Sequence, residues 1–90
     1  MPPAIVTPSE LVAFARHLTK TAQSVARRKS KATRLVADSR SVWKDAKYDS
    51  FQKTFDQTTK ELDRFVRLAE DYAQFLERKA GRARKYLHNR

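Results

Sequence analysis

From Tyr48 to Tyr86 the chain repeats every seven residues. Tyr48, Phe55, Leu62, Ala69, Leu76 and Ala83 form one series, and Phe51, Thr58, Phe65, Tyr72, Lys79 and Tyr86 form a second, three residues later. Seven residues are close to two turns of α-helix, so both series run along one flank and form the a and d positions of a coiled-coil-like seam. Little in the sequence can interrupt it. There is one glycine, Gly81, and the three prolines all fall within the first eight residues. The fold class is therefore all-α, with a second helix over about 46–86 that spans roughly 60 Å at 1.5 Å per residue.

The first half carries a weaker version of the same pattern. Leu11, Leu18, Val25 and Ala32 recur every seven residues, interleaved with Phe14, Thr21 and Leu35, and Arg28 interrupts the interleaved series. Thr7 followed by Pro8 and Glu10 has the form of a helix N-cap, a proline at the first helical position and a capping-box glutamate. A first helix over about 8–39 follows, preceded by a flexible arm at 1–7. The turn occupies 40–45, where Asp45 can cap the second helix with its carboxylate, and a tail occupies 87–90. A connection this short makes the helices antiparallel, so residues 1–90 form a single hairpin domain.

A lone hairpin leaves apolar surface in water. Val66, Leu68, Phe75 and Leu87 lie beyond the two series, and a chain of 90 residues buries a smaller fraction of its surface than a larger domain. Pairing of two hairpins into a four-helix bundle covers that surface. Symmetry makes a homodimer the default, with a heterodimer of related hairpins as the alternative. The residues expected in the packing and dimer seam are Leu11, Phe14, Leu18, Val25, Leu35, Tyr48, Phe55, Leu62, Phe65, Tyr72 and Leu76. A solvated face is expected along Asp49, Asp56, Asp63, Glu70 and Glu77, the first three followed four residues later by Lys53, Lys60 and Arg67 in the acid-first order that supports a helix.

Chemistry-bearing constellations are missing from the sequence. It has no cysteine, and its two histidines, His17 and His88, lack companions at metal-ligand spacing. No glycine-rich phosphate loop is present, and Glu70 and Asp71 point about 100° apart on a helix, too far round to share a proton. No catalytic residue, metal site or cofactor is expected, and the chain reads as a non-enzyme. The first residues do not resemble a cleavable export signal and no stretch is long and apolar enough to cross a bilayer. A cytoplasmic location, or secretion without a cleaved signal peptide, is the expectation.

The formal net charge is +10, which suits an anionic partner. Arg27, Arg28, Lys29, Lys31 and Arg34 form one basic cluster, and Arg78, Lys79, Arg82, Arg84 and Lys85 form another; no acid follows Glu77. Non-specific nucleic-acid binding through the phosphate backbone is the alternative function these clusters carry. Bases at a helix C-terminus also complement the helix dipole without any ligand.

The turn holds the only tryptophan. Trp43 lies between the two helices, Phe51 follows eight residues later, and Phe65, Ala69 and Tyr72 continue along the second helix. In these features and in its size the chain resembles the WXG superfamily, small helical hairpins associated with type VII secretion. The resemblance implies a helix–turn–helix fold, antiparallel homo- or heterodimers, and a role as secreted substrate, adaptor or chaperone-like partner of a larger secreted protein. Two positions depart from the family pattern. Trp43-Lys44-Asp45 stands where the family has Trp-x-Gly, and the Tyr-x-x-x-Asp/Glu export signal is missing, since Tyr86 is followed four residues on by Arg90 and Tyr72 by Leu76. A partner can supply that signal in a heterodimer; otherwise the chain is a relative that stays in the cell. The residues on which the turn motif rests are Trp43, Asp45 and Phe51.

Overall fold

The computed structural model describes residues 7–43 and 45–88. Residues 1–6 of the proposed arm at 1–7, Lys44 in the turn, and Asn89 and Arg90 in the tail lie outside them. Two helices, α1 (Pro8–Ser39) and α2 (Ala46–His88), pack against each other as an antiparallel hairpin, and the molecule measures 68 × 26 × 14 Å. Among the described residues there is no strand.

Local chemistry sets the helix ends. The Thr7 hydroxyl accepts the Glu10 amide at 3.2 Å, and the Thr7 amide donates to Glu10 Oε2 at 3.1 Å, which completes a capping box with Pro8 behind it. Two of the amides that a helix start leaves without partners are thereby satisfied. At the far end of α1 the chain keeps winding, with the Val42 and Trp43 amides both donating to the Ser39 carbonyl at 3.1 and 2.9 Å. Asp45 then opens α2, its Oδ1 accepting the Tyr48 amide at 2.8 Å. No described residue has a positive φ, so Asp45 adopts a backbone open to any side chain. That accounts physically for a turn without the family's glycine, because glycine is needed only where the backbone enters the left-handed region.

The seam of the hairpin departs from the interleaving read in the sequence. The a series of α2 points inward as expected, with Tyr48, Ala69 and Leu76 buried and Phe55, Leu62 and Ala83 half-buried. Its companions are four residues on, not three: Gln52, Thr59 and Val66 are half-buried and Ala73 and Ala80 are buried. In α1 the same choice pairs Leu11, Leu18, Val25 and Ala32 with Ala15, Ala22, Lys29 and Val36. The whole three-residue series is exposed in both helices, at Phe14, Thr21, Arg28 and Leu35 and at Phe51, Thr58, Phe65, Tyr72, Lys79 and Tyr86. Side-chain size explains the preference. Ala15 packs in one cluster with Ala73 and Leu76, flanked by Leu11 and Leu18, and alanines at the contact let two backbones approach closely where phenylalanines would hold them apart.

Burial along this seam continues to Ala80 and, in part, to Ala83, so the segment of α2 that projects past α1 is confined to about its last turn. One ion pair crosses the hairpin: Lys29 Nζ donates to Asp63 Oδ1, both groups partly shielded from solvent. Asp63 thus leaves the solvated face expected for its series, whereas Asp49, Asp56, Glu70 and Glu77 remain exposed. None of the three i, i+4 acid–base pairs closes to ion-pair distance among the described residues.

Candidate interaction surface

The turn end is closed by an aromatic cluster. Trp43 meets Tyr48 edge-on, with ring centroids 5.1 Å apart and planes at 72°. It meets Phe51 at 5.9 Å, and Phe51 in turn stacks on Phe55 at 5.9 Å. Offset and edge-to-face arrangements at these separations are the favourable ones for aromatic pairs. Tyr48 is the anchor, because its ring is buried and its hydroxyl lies 3.1 Å from both the Val36 carbonyl of α1 and Gln52 Oε1. Gln52 passes the connection on by donating from Nε2 to Asp56 at 2.9 Å. Trp43 itself remains 37% exposed and Val42 beside it 85% exposed, so the tryptophan seals the turn with one face and leaves the other outside.

The larger feature runs along the side of the molecule. Two antiparallel helices that bury the same heptad positions also present their remaining positions on a common side, because reversing the helix direction reverses the sense of rotation around it. Phe14 and Leu35 of α1 therefore emerge on the same face as the outward aromatics of α2. Within α2 that face carries Phe65 (42% exposed), Leu68 (67%), Tyr72 (48%) and Phe75 (42%). Tyr72 and Phe75 stack at 5.9 Å. A groove of about 250 Å³ on this face is lined by Leu18, Phe65, Leu68, Ala69 and Tyr72, with almost no polar surface. By contrast, a depression of about 610 Å³ at the turn end is an open hollow edged by Arg40, Asp45, Asp49 and Gln52.

The seam residues read from the sequence thus fall into two sets. Leu11, Leu18, Val25, Tyr48, Phe55, Leu62 and Leu76 turn into the hairpin, while Phe14, Leu35, Phe65 and Tyr72 turn away from it. Val66, expected outside, is half-buried in the seam; Leu68, Phe75 and Leu87 are exposed. Ala15, Ala22, Ala73 and Ala80 were missed as core residues. Their signal was available, since each pair stands seven residues apart, four past the series that was read.

The basic residues do not converge. Arg27, Arg28, Lys31 and Arg34 are exposed on the turn half of α1, and Lys29 is drawn inward by Asp63. Arg78, Lys79, Arg82, Arg84 and Lys85 are exposed near the end of α2. Lys29 lies beside Asp63, so the second cluster begins some fifteen residues further along α2, roughly 22 Å away at the helical rise. They form two patches. No group of His, Asp and Glu that could hold a metal occurs among the described residues, and no described helix is long and apolar enough to cross a membrane.

No curated protein and no solved structure matches the chain. A family model does: residues 5–85 match WXG100, described as proteins of 100 residues with WXG.

Proposed function

Because the chain belongs to the WXG100 family, we propose that it is a non-enzymatic interaction module of a type VII secretion pathway, acting as a small secreted substrate or as an adaptor for a larger secreted protein. It works by pairing its exposed apolar face with a second hairpin to make a four-helix bundle. The observation that carries this reading is the distribution of side-chain volume. The hairpin's own core is mostly alanine, at Ala15, Ala22, Ala69, Ala73 and Ala80, while Phe14, Phe65, Leu68, Tyr72 and Phe75 stay in water. A contiguous apolar patch of this kind on a small protein marks an interaction site, and four-helix packing is the arrangement that fits a long, straight stripe.

Export follows the pairing in this reading. No Tyr-x-x-x-Asp/Glu signal occurs within residues 1–90, and in this reading the hairpin leaves the cell with a partner that has one. In the native cell the hairpin is expected in the medium when the secretion ATPase is intact and in the cell when it is disabled. Retention in both cases would refute the substrate role and leave the adaptor role. A second reading rests on the run of exposed bases at Arg78, Lys79, Arg82, Arg84 and Lys85, which can neutralise phosphates of nucleic acid. It predicts affinity for random duplex that falls of order 10³ between about 50 and 200 mM salt, and no binding at the lower salt disposes of it.

A further inference from the structure

We infer that the outer face of α1 is a binding ridge for double-stranded nucleic acid, which it contacts through the phosphate backbone. The inference takes its ligand class from the second reading above and assigns it a different site. From Leu11 to Ala37 the sequence contains no acid. Lys20, Arg27 and Arg34 recur every seven residues, each two residues before one of the seam positions Ala22, Lys29 and Val36. Two residues turn a helix by about 200°, so these bases point away from α2. Arg16 lies four residues before Lys20 and Lys31 four after Arg27, on the same flank. All five are exposed, and none takes part in an ion pair among the described residues. From Arg16 to Arg34 the ridge runs about 27 Å, and the series of Phe14 and Leu35 lies about 100° round from it, so pairing through the apolar face leaves it open.

Charge and side-chain type together select the ligand. Like charges four residues apart destabilise a helix, as at Arg16–Lys20 and Arg27–Lys31, and no acid between them offsets the repulsion. The outside of α2 shows the ordinary solvated arrangement instead, with exposed Asp49, Asp56, Glu70 and Glu77 interspersed with bases. Between its cations the α1 ridge exposes Gln23 and Ser30, side chains of the kind that hydrogen-bond to phosphate oxygens. No apolar side chain larger than alanine stands on this flank, so it lacks the anchors by which a protein partner or a bilayer surface is held. A duplex needs no such anchor. It carries one negative charge per ~1.7 Å of its axis, so a straight row of cations meets phosphate along its length. At the end of α2 only Arg78, Arg82 and Lys85 share a flank, with Lys79 and Arg84 turned about 100° or more to either side.

The test compares two triple variants of equal charge in the full chain, by binding to a random DNA duplex between about 50 and 200 mM salt. Five phosphate contacts give a slope of log affinity against log salt near about −4.5, a loss of about 500-fold over that range. Lys20→Gln with Arg27→Gln and Arg34→Gln should bring the slope to about −1.8, since two contacts remain. Arg78→Gln with Arg82→Gln and Lys85→Gln removes the same charge and should leave the slope within about one unit of wild type. Circular dichroism checks that both variants remain helical. An α1 variant that keeps the wild-type slope, or an α2 variant that loses as much, would overturn the ridge. Loss in the α2 variant alone would return the site to the end of α2, whereas a wild-type chain that binds no duplex at the lower salt would overturn both assignments. Tighter wild-type binding to polyglutamate, or to vesicles about one-third phosphatidylserine, than to duplex would overturn nucleic acid as the partner. The secretion role rests on the apolar face and stands under every one of these results.

Discussion

Between Phe65 and Ala80 the inward and outward faces of α2 divide the apolar residues by size, whereas nearer the turn Tyr48, Phe55 and Leu62 put large side chains inward. Toward α1 the helix shows Ala69, Ala73 and Ala80 with Leu76 among them; away from α1 it shows Phe65, Leu68, Tyr72 and Phe75. Ordinary amphipathic helices put their bulk inside. Here close approach of two backbones needs small side chains, while contact with a separate body that must first find its place gains most from large, rigid rings. In the proposed reading the difference separates two tasks on one helix: the alanine face closes the hairpin, and the aromatic face serves association.

The largest effect should come from breaking the small face. Ala73→Asp places an unpaired charge in the cluster with Ala15 and Leu76, which should cost about 3 kcal/mol or more. In a hairpin with so thin a core that is expected to abolish most of the helical signal at room temperature. On the large face, Phe65→Ala should weaken association by about tenfold to a hundredfold while the circular dichroism spectrum stays helical, because Phe65 is not part of the buried core. Loss of fold from Phe65→Ala, or loss of association alone from Ala73→Asp, would break the division between the faces.

Two smaller effects sharpen it. Tyr48→Phe keeps the buried ring and removes the hydroxyl that lies by the Val36 carbonyl, so denaturation at a fixed protein concentration should report a loss of about 1 kcal/mol. Its association constant should change little, since the group lies at the turn end of the inner seam. Gly81 belongs to neither face; it is exposed within α2, and a Cβ there would meet nothing within 4 Å. Gly81→Ala should therefore stabilise the helix by about 0.5–1 kcal/mol and leave association unaffected.

The hairpin and its family were legible because their signals are local and repetitive. A seven-residue period without breakers dictates long helices, and a tryptophan between two such helices marks the turn. The division of residues between the faces was not legible, because Phe65 and Val66 lie about 100° apart on either side of the Leu62 series, and a period of seven leaves open which side the partner helix takes. Side-chain volume decides that choice, and volume acts only once the two helices are brought together. Lys29–Asp63 was hidden for the same reason: thirty-four residues separate them, the sequence pairs Asp63 with Arg67, and Lys29 has no acid within a helical turn. The glycine missing after Trp43 could be read only from backbone angles, since Asp45 fills its place without a left-handed conformation.

The central claim is that association and folding reside on different faces of α2, and the double substitution Leu68→Glu with Tyr72→Glu tests it most directly. Light scattering coupled to size exclusion, with circular dichroism on the same fractions, should give about twice the chain mass of 10.5 kDa for wild type at micromolar concentration. For the variant it should give the single-chain mass with helicity retained. A variant that still elutes as a dimer, or one that becomes monomeric only by losing its helices, would contradict the claim.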